Sequence, residues 1–498
     1  MTDWTTAISI RFAGAALALM SAGCSFAPIH ERPAAPVAAQ WQQDGPASPQ
    51  AGDPAVAPAA ELGWRDYYAE PALQHLIALA LENNRDLRIA ALNVEAARAR
   101  YGIQRADRLP GVDASAAGAR QRLPADIAPA RQAGIASQYD ATVGITAFEL
   151  DLFGRVRNLG EAALAEYFAT AQARRAVHIG LIAQVADSWL SLLAARERMD
   201  LLDRTLAVRA ESLGLIRLRH DVGAANELEL RQAEALVETA RAERVGADRQ
   251  RRQARNALEL LVGQPLADDD PGLRTLSQVQ WPKPPAAGLP SELLERRPDI
   301  LAAEDRLRGA NANIGAARAA FFPRITLAGS LGTASAELDG LFDGGSGFWS
   351  FVPRITLPIF DGGRNRASLD LAEVRRDLSV AEYERAIQVA FREVADALAA
   401  RATLDEQLRA QRAQVSAAQR SLELADLRYR GGVDSQLSWL DAQRSLLASE
   451  QALLAARVAQ VSNLIELYKV LGGGWSERAG QAGAPGGDSV VRAAGQGS

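Results

Sequence analysis

The sequence is poor in what most chemistry-bearing sites require. Its 498 residues hold one cysteine and four histidines, His30, His75, His178 and His220. A lone thiol excludes an internal disulfide and any cysteine cluster for zinc or iron–sulfur, and the histidines show no ligand spacing. Nor is there a nucleophile–base pair or a phosphate loop: Gly344, Gly345 and Gly347 precede a strand pattern, whereas a dinucleotide fingerprint opens a helix. Neither an enzyme nor a metal or organic cofactor is expected. Charge of one sign is also lacking, since 55 Lys+Arg against 60 Asp+Glu leave −5, and no basic field is available to hold nucleic acid. Aromatic residues are only 6% against 48% apolar. Alanine and leucine fill the gap, the composition of long helices packed closely together.

A membrane-length apolar helix is missing from the N-terminus. The apolar stretch Phe12 to Met20 is too short for a bilayer, which takes about 20 residues. It is followed by Ser21, Ala22 and Gly23 and then by the only cysteine, Cys24. Residues 1–23 therefore read as a cleaved signal peptide, and the pattern resembles a bacterial lipoprotein signal in which Cys24 becomes the acylated first residue. The one covalent group expected is a lipid on Cys24. Residues 24–60 follow as a tether or wrapping segment, with seven prolines between Pro28 and Ala60 and no apolar period.

Proline is absent again where it matters most, from Arg155 to Gln264 and from Ile359 to Leu471. Those runs carry apolar residues at spacings of three and four, such as Leu181, Val185, Trp189 and Leu192, and predict long helices. Arg364 to Arg430, if continuous, reaches about 100 Å at the helical rise. Between the helical blocks four segments alternate with a period of two: Val112–Ala119, Tyr139–Glu149, Ile325–Leu331 and Trp349–Ile359. In the second, Tyr139, Ala141, Val143, Ile145 and Ala147 form the apolar side. These predict two hairpins with long polar or glycine-rich loops, like those on the outward side of an outer-membrane barrel.

The chain repeats itself at an offset near 210 residues. Phe153, Arg157 and Asn158 match Phe360, Arg364 and Asn365, and Arg217–Glu234 aligns without a gap on Asp426–Gln443. The expected division is a first structural repeat over 61–264 with its β-hairpin at 112–150, and a linker over 265–290. A second repeat over 291–471 has its hairpin at 325–360, and 472–498 form a flexible C-terminal tail. Four membrane strands cannot close a barrel, and an open edge in lipid leaves backbone groups unpaired at several kcal/mol each. Membrane strands in this chain therefore demand neighbouring copies; two copies supply eight strands and three supply twelve.

With that architecture the motifs resemble the outer-membrane efflux channels of the TolC family, in the lipoprotein branch that serves resistance-nodulation-division pumps. The carriers are CSFAPIHERP from Cys24, FELDLFGRVR from Phe148, RRPDILAAE from Arg296, PIFDGGRNR from Pro358 and RYRGGVDSQLSWLDAQRSLL from Arg428. The resemblance implies a mainly α-helical fold with a transmembrane β-barrel: a homotrimer sharing a 12-stranded β-barrel in the outer membrane above an α-helical barrel in the periplasm. It also implies a periplasmic adaptor and an inner-membrane transporter as partners. Position by position, it places the closed constriction at Tyr429, Leu437, Asp441 and Arg444. Leu437, Asp441 and Arg444 share one helix face, where three copies would make apolar and charged rings. The adaptor-contacting turns fall at Val222, Gly223 and Ala224 and at Gly432, Val433 and Asp434. The function implied is a passive exit duct for drugs or other small molecules. The exit channel of a type I protein exporter and a non-channel periplasmic scaffold are the alternatives.

Overall fold

The structure is a computed structural model that describes residues 25–38, 58–126, 132–266, 275–285 and 290–478. Cys24 and the signal peptide lie outside the described residues. In chain order the elements are α1 (Trp64–Tyr67), α2 (Pro71–Asn83), α3 (Arg85–Ala106), β1 (Asp113–Leu123), β2 (Gly134–Leu150), α4 (Arg155–Asp221) and α5 (Glu227–Val262). Then come α6 (Pro290–Arg296), α7 (Pro298–Ala319), β3 (Arg324–Ser335), β4 (Gly347–Thr356), α8 (Arg364–Arg430) and α9 (Gln436–Val470). Helices α4 and α8 each run for 67 residues, and with α5 and α9 they fill the two proline-free blocks. Contacts divide the chain into two compact units, each built from pieces of both repeats. The first unit takes the chain through Ala34, Asn93–Ala171 and Ala302–Glu384, and the second takes Ala35–Leu92, Gln172–Leu301 and the chain from Arg385.

The first unit contains an antiparallel sheet in the order β1-β2-β3-β4. Residues paired across neighbouring strands share a face. One face carries the rows Ala114–Val143–Leu331–Trp349 and Ile145–Gly329–Phe351, and the other carries Ser115–Thr142 and Gly144–Ser330–Ser350. Hydroxyl pairs tie the polar face together, Ser115 with Thr142 and Ser330 with Ser350, both at 2.8 Å. A register shift between Ile145 and Phe148 changes the expected alternation. The extra residue of the bulge brings Phe148 and Leu150 onto the apolar face opposite Leu327 and Ile325. The strict period that put Ala147 on that face is thereby broken. β4 stops at Thr356, short of Pro358, so Leu357 and Ile359 lie beyond the strand to which the sequence assigned them. β1 and β4 each have one strand neighbour, and among the described residues their outer edges are unpaired.

The segment after Cys24 is held down in this unit. Ser25 Oγ donates to Asn158 Oδ1 at 3.0 Å, the Phe26 ring stacks on Phe322 at 4.6 Å, and the Phe26 carbonyl accepts from Arg318 at 3.3 Å. Arg32 reaches Glu304 at 2.7 Å, and Arg308 reaches the other oxygen of that carboxylate, also at 2.7 Å. Glu304 has a side chain only 3% exposed. Burial pushes its carboxyl up, but Arg32 and Arg308 outweigh burial and hold it below the ordinary range. Arg32 thereby ties the segment to α7 through a buried carboxylate, and breaking a buried ion pair of this kind is costly.

The second unit is helical. Ile182, Trp189 and Leu190 of α4 pack with Ile77 of α2, Val394 of α8 and Ile465 and Leu467 of α9 in one apolar core. Tyr67 and Tyr468 stack at 3.9 Å, and their hydroxyls donate to the carbonyls of Leu464 and Leu62 at 2.8 and 2.7 Å. The amides of Trp64 and Arg65 donate to the carbonyls of Ser476 and Glu477 at 3.0 and 3.1 Å, and a Cβ at Gly63 would strike the backbone of Arg478. Residues 472–478, assigned from the sequence to a flexible tail, are therefore docked. His178 lies edge-on to Trp475 at 5.2 Å. Burial, reinforced by Arg174, pulls its imidazole down to about 4.

Candidate functional site

The residues expected to act lie at the turns that join α4 to α5 and α8 to α9, all in the second unit. The two turns have the same backbone. Gly223 N–H donates to the His220 carbonyl and Ala224 N–H to Arg219, at 2.9 and 2.7 Å. At the second turn Gly432 N–H donates to Tyr429 and Val433 N–H to Arg428, at 3.1 and 2.9 Å. Both glycines take a left-handed conformation, with φ of 74° and 69°, which a side chain would strain. The next helix is then capped in each case: Asn226 Oδ1 accepts from the Glu229 amide at 2.9 Å, and Ser435 Oγ from the Ser438 amide at 3.4 Å. Val222 and Val433, at 73% and 70% exposure, present apolar side chains at the two turns.

The side chains around the second turn diverge from this symmetry. Asp434 accepts from the Ser435 amide at 2.9 Å and from Arg428 at 3.1 Å, and the amide and then the guanidinium hold its carboxyl below the usual range. Tyr429 is only 6% exposed. It stacks on Trp439 at 4.9 Å and accepts a 2.8 Å hydrogen bond from Arg219. Burial pushes its phenol up, with Arg219 pulling the other way. Leu437 is 51% exposed, and Arg444 donates to Asp441 at 2.6 Å in an exposed pair three residues apart. The single chain thus places Leu437, Asp441 and Arg444 on the surface of α9 and turns Tyr429 inward among Leu213, Ile216, Leu236 and Leu440.

Three residues that sequence reasoning passed over complete this region. Arg219 and Trp439 grip Tyr429 from opposite hairpins, and Gln436 donates to the Glu229 carbonyl at 3.1 Å. Their signal was faint. Arg219 is one of several basic residues near a helix end, where the dipole favours them anyway, and Trp439 fits an ordinary apolar stripe. The matching positions of the first hairpin hold His220, Leu228, Gln232 and Ala235. His220, half-buried, lies 3.3 Å from Glu227 and 3.8 Å from Asp221.

In the first unit the starts of α4 and α8 and the body of α7 line a groove of about 760 Å³. Gly309, Ala310, Ala316 and Ala317 keep its wall smooth, and Arg306, Arg375, Glu166 and Glu382 bring charges of both signs. Among the described residues no His/Cys/Asp/Glu group is arranged to hold a metal ion.

The model of the outer membrane efflux protein family matches the chain twice, over residues 76–264 and 289–473. Outer membrane protein OprJ of Pseudomonas aeruginosa is 50% identical over 464 residues, covering 93% of this chain and 95% of that protein. The toluene efflux pump outer membrane protein TtgC of Pseudomonas putida is 49% identical over 469 residues, covering 94% and 96%. Among solved structures, the open state of the MtrE outer membrane channel of Neisseria gonorrhoeae aligns with a TM-score of 0.81 at 43% identity, covering 92% of this chain and all of that one. With its repeated hairpins, its four-stranded sheet and two 67-residue helices, the chain belongs to the outer membrane efflux protein family of TolC-like channels and is the outer-membrane channel of an efflux pump.

Proposed function

We propose that the protein works as a trimer, anchored by a lipid on Cys24, and is the passive exit duct of a tripartite pump of the resistance-nodulation-division type. Drugs or other small molecules reach it from an inner-membrane transporter through a periplasmic adaptor. The observation that carries this reading is the sheet, whose one face carries Val143, Leu331, Trp349 and Phe351, whose other face is mostly serine, threonine, charged and small residues apart from Phe348 and Val352, and whose β1 and β4 edges are unpaired among the described residues. In lipid those edges need partners, and three chains supply twelve strands around a lumen. The polar serine and threonine face would line the lumen, and the face with Trp349, Phe351 and Leu331 would meet lipid. Acylation of Cys24 is supported by the small residues Ser21, Ala22 and Gly23 before the single cysteine.

Gating is the only mechanism required. Leu437, Asp441 and Arg444, repeated around a threefold axis, would narrow the duct with one apolar and two charged rings. Tyr429 would act from behind this face, because Arg219 and Trp439 hold it inside the hairpin packing. Opening then requires α8 and α9 to shift against α4 and α5. The Arg219–Tyr429 and Gln436–Glu229 bonds would be lost or exchanged in that shift, and an adaptor that favours the shifted state would populate it. The turns around Gly223 and Gly432, with Val222 and Val433 exposed, would seat that adaptor. Native mass measurement of the detergent-solubilised protein, combined with single-channel recording, tests the proposal. A conducting trimer is expected, and a non-conducting monomer would overturn it.

A further inference from the structure

Two arginines stand on the side of the sheet that is otherwise largely apolar. Directly paired residues share a face and alternate ones return to it. Gly118, Arg120 and Arg122 of β1, opposite Tyr139, Ser137 and Ile135 of β2, therefore belong to the side of Val143, Leu331 and Trp349. Both arginines are exposed, and among the described residues neither has a carboxylate partner. They sit at the loop end of β1, away from the ends at which β2 and β4 lead into α4 and α8. Strand β2 sets their height. From Leu150 to Tyr139 its apolar side runs for about 35 Å at ~3.3 Å per residue. A tilt of about 45° reduces that to roughly 25 Å, the height of the apolar band of an outer-membrane barrel. The band ends on an aromatic ring, as such bands do: Tyr139 lies across Gly118, where an added Cβ would come within 3.0 Å of the ring. Ser137, Arg120 and Arg122 follow just beyond it.

We propose that Arg120 and Arg122 form a binding site for the phosphate of an outer-leaflet lipid headgroup, with the Ser137 hydroxyl as a further donor. The proposal rests on the reading that this side of the sheet meets lipid. A cationic side chain on a lipid-facing side is tolerated only near the interface. Its counter-charge there must come from the headgroups, since no described carboxylate pairs with either arginine. The Cα atoms of two residues that alternate along a strand are about 7 Å apart. Two long side chains across that span can each take separate oxygens of one phosphate, and the planar guanidinium fork suits that anion. Competing headgroups fit less well. A zwitterionic one brings a cation of its own beside the guanidiniums, and a carboxylate has oxygens for one fork only. Arg354, paired with Thr326, lies on the opposite side of the sheet and is cut off from these donors.

The test titrates the full-length protein in detergent with lipid A, which carries phosphates on a glycolipid headgroup, and counts bound lipid by native mass spectrometry. Saturable retention is expected, weakened at least tenfold by Arg120→Gln with Arg122→Gln and unchanged by Arg354→Gln. Dephosphorylated lipid A should not be retained. The substituted side chains are exposed and lie beyond the apolar band, so the double variant should assemble and conduct as the parent does. Equal retention in parent and double variant, or equal retention of the dephosphorylated lipid, would overturn the proposal. Displacement of lipid A by an equal concentration of inorganic phosphate would mark a free-anion site and overturn the lipid assignment. A parent that forms no conducting channel would overturn the membrane reading beneath it, so the two failures are told apart.

Discussion

The two helical turns share one backbone and carry different chemistry. At the first turn a half-buried histidine sits beside exposed acidic residues; at the second a tyrosine is buried, stacked and hydrogen-bonded across to the first hairpin. A duplicated segment has kept what the turn needs, a left-handed glycine and a capping side chain. It has changed what the helix face offers to its surroundings. Backbone requirements therefore report the ancestry of the repeat, and the divergent side chains report where the halves took different tasks.

That contrast can be broken or sharpened by experiment. The largest effect is expected from Asp441→Ala with Arg444→Ala, which should raise resting conductance and antibiotic leakage several-fold, while Gln232→Ala at the matching first-repeat position leaves both unchanged. Equal conductance in the two variants would remove the asymmetry on which the gate assignment stands. Next, Tyr429→Ala should destabilise the hairpin pair by about 3 kcal/mol through the cavity it leaves, against about 0.5–1 kcal/mol for half-buried His220→Ala; hydrogen exchange of the α8 and α9 amides reads the difference. Gly223→Ala and Gly432→Ala should behave alike, each costing about 1–2 kcal/mol in thermal melts, since only strain and no clash opposes the added methyl. The smallest expected difference lies in the caps: Asn226→Ala should cost about 1 kcal/mol and Ser435→Ala about half of that, because the serine bond is longer.

Much of the fold could be read from the residues because its signals are local. Proline-free runs and threefold–fourfold spacing marked α4 and α8, and glycines marked their turns. The strands were harder. Asp113–Leu123 is made of small and polar residues that alternate weakly, and its extent is set by pairing with β2. The bulge after Ile145 has no signature in a single strand, since it exists only relative to β3. The docked course of Ser25–Arg32 was hidden for a similar reason: its bonds go to Asn158, Glu304 and Phe322, more than a hundred residues away. At the proposed constriction, family resemblance pointed to Tyr429 together with Leu437, Asp441 and Arg444 but could not indicate that Tyr429 faces inward. That orientation depends on Arg219, 210 residues earlier.

The bond pairs that join Trp64 and Arg65 to Ser476 and Glu477 bear on how the polypeptide is made. Segments more than 400 residues apart must meet before the helical unit is complete, and Tyr67 finds its stacking partner only at Tyr468. Until then the chain carries a half-finished apolar surface, a state prone to aggregation. A chain interrupted before Ser476 should therefore be unable to complete this unit, whatever else has folded.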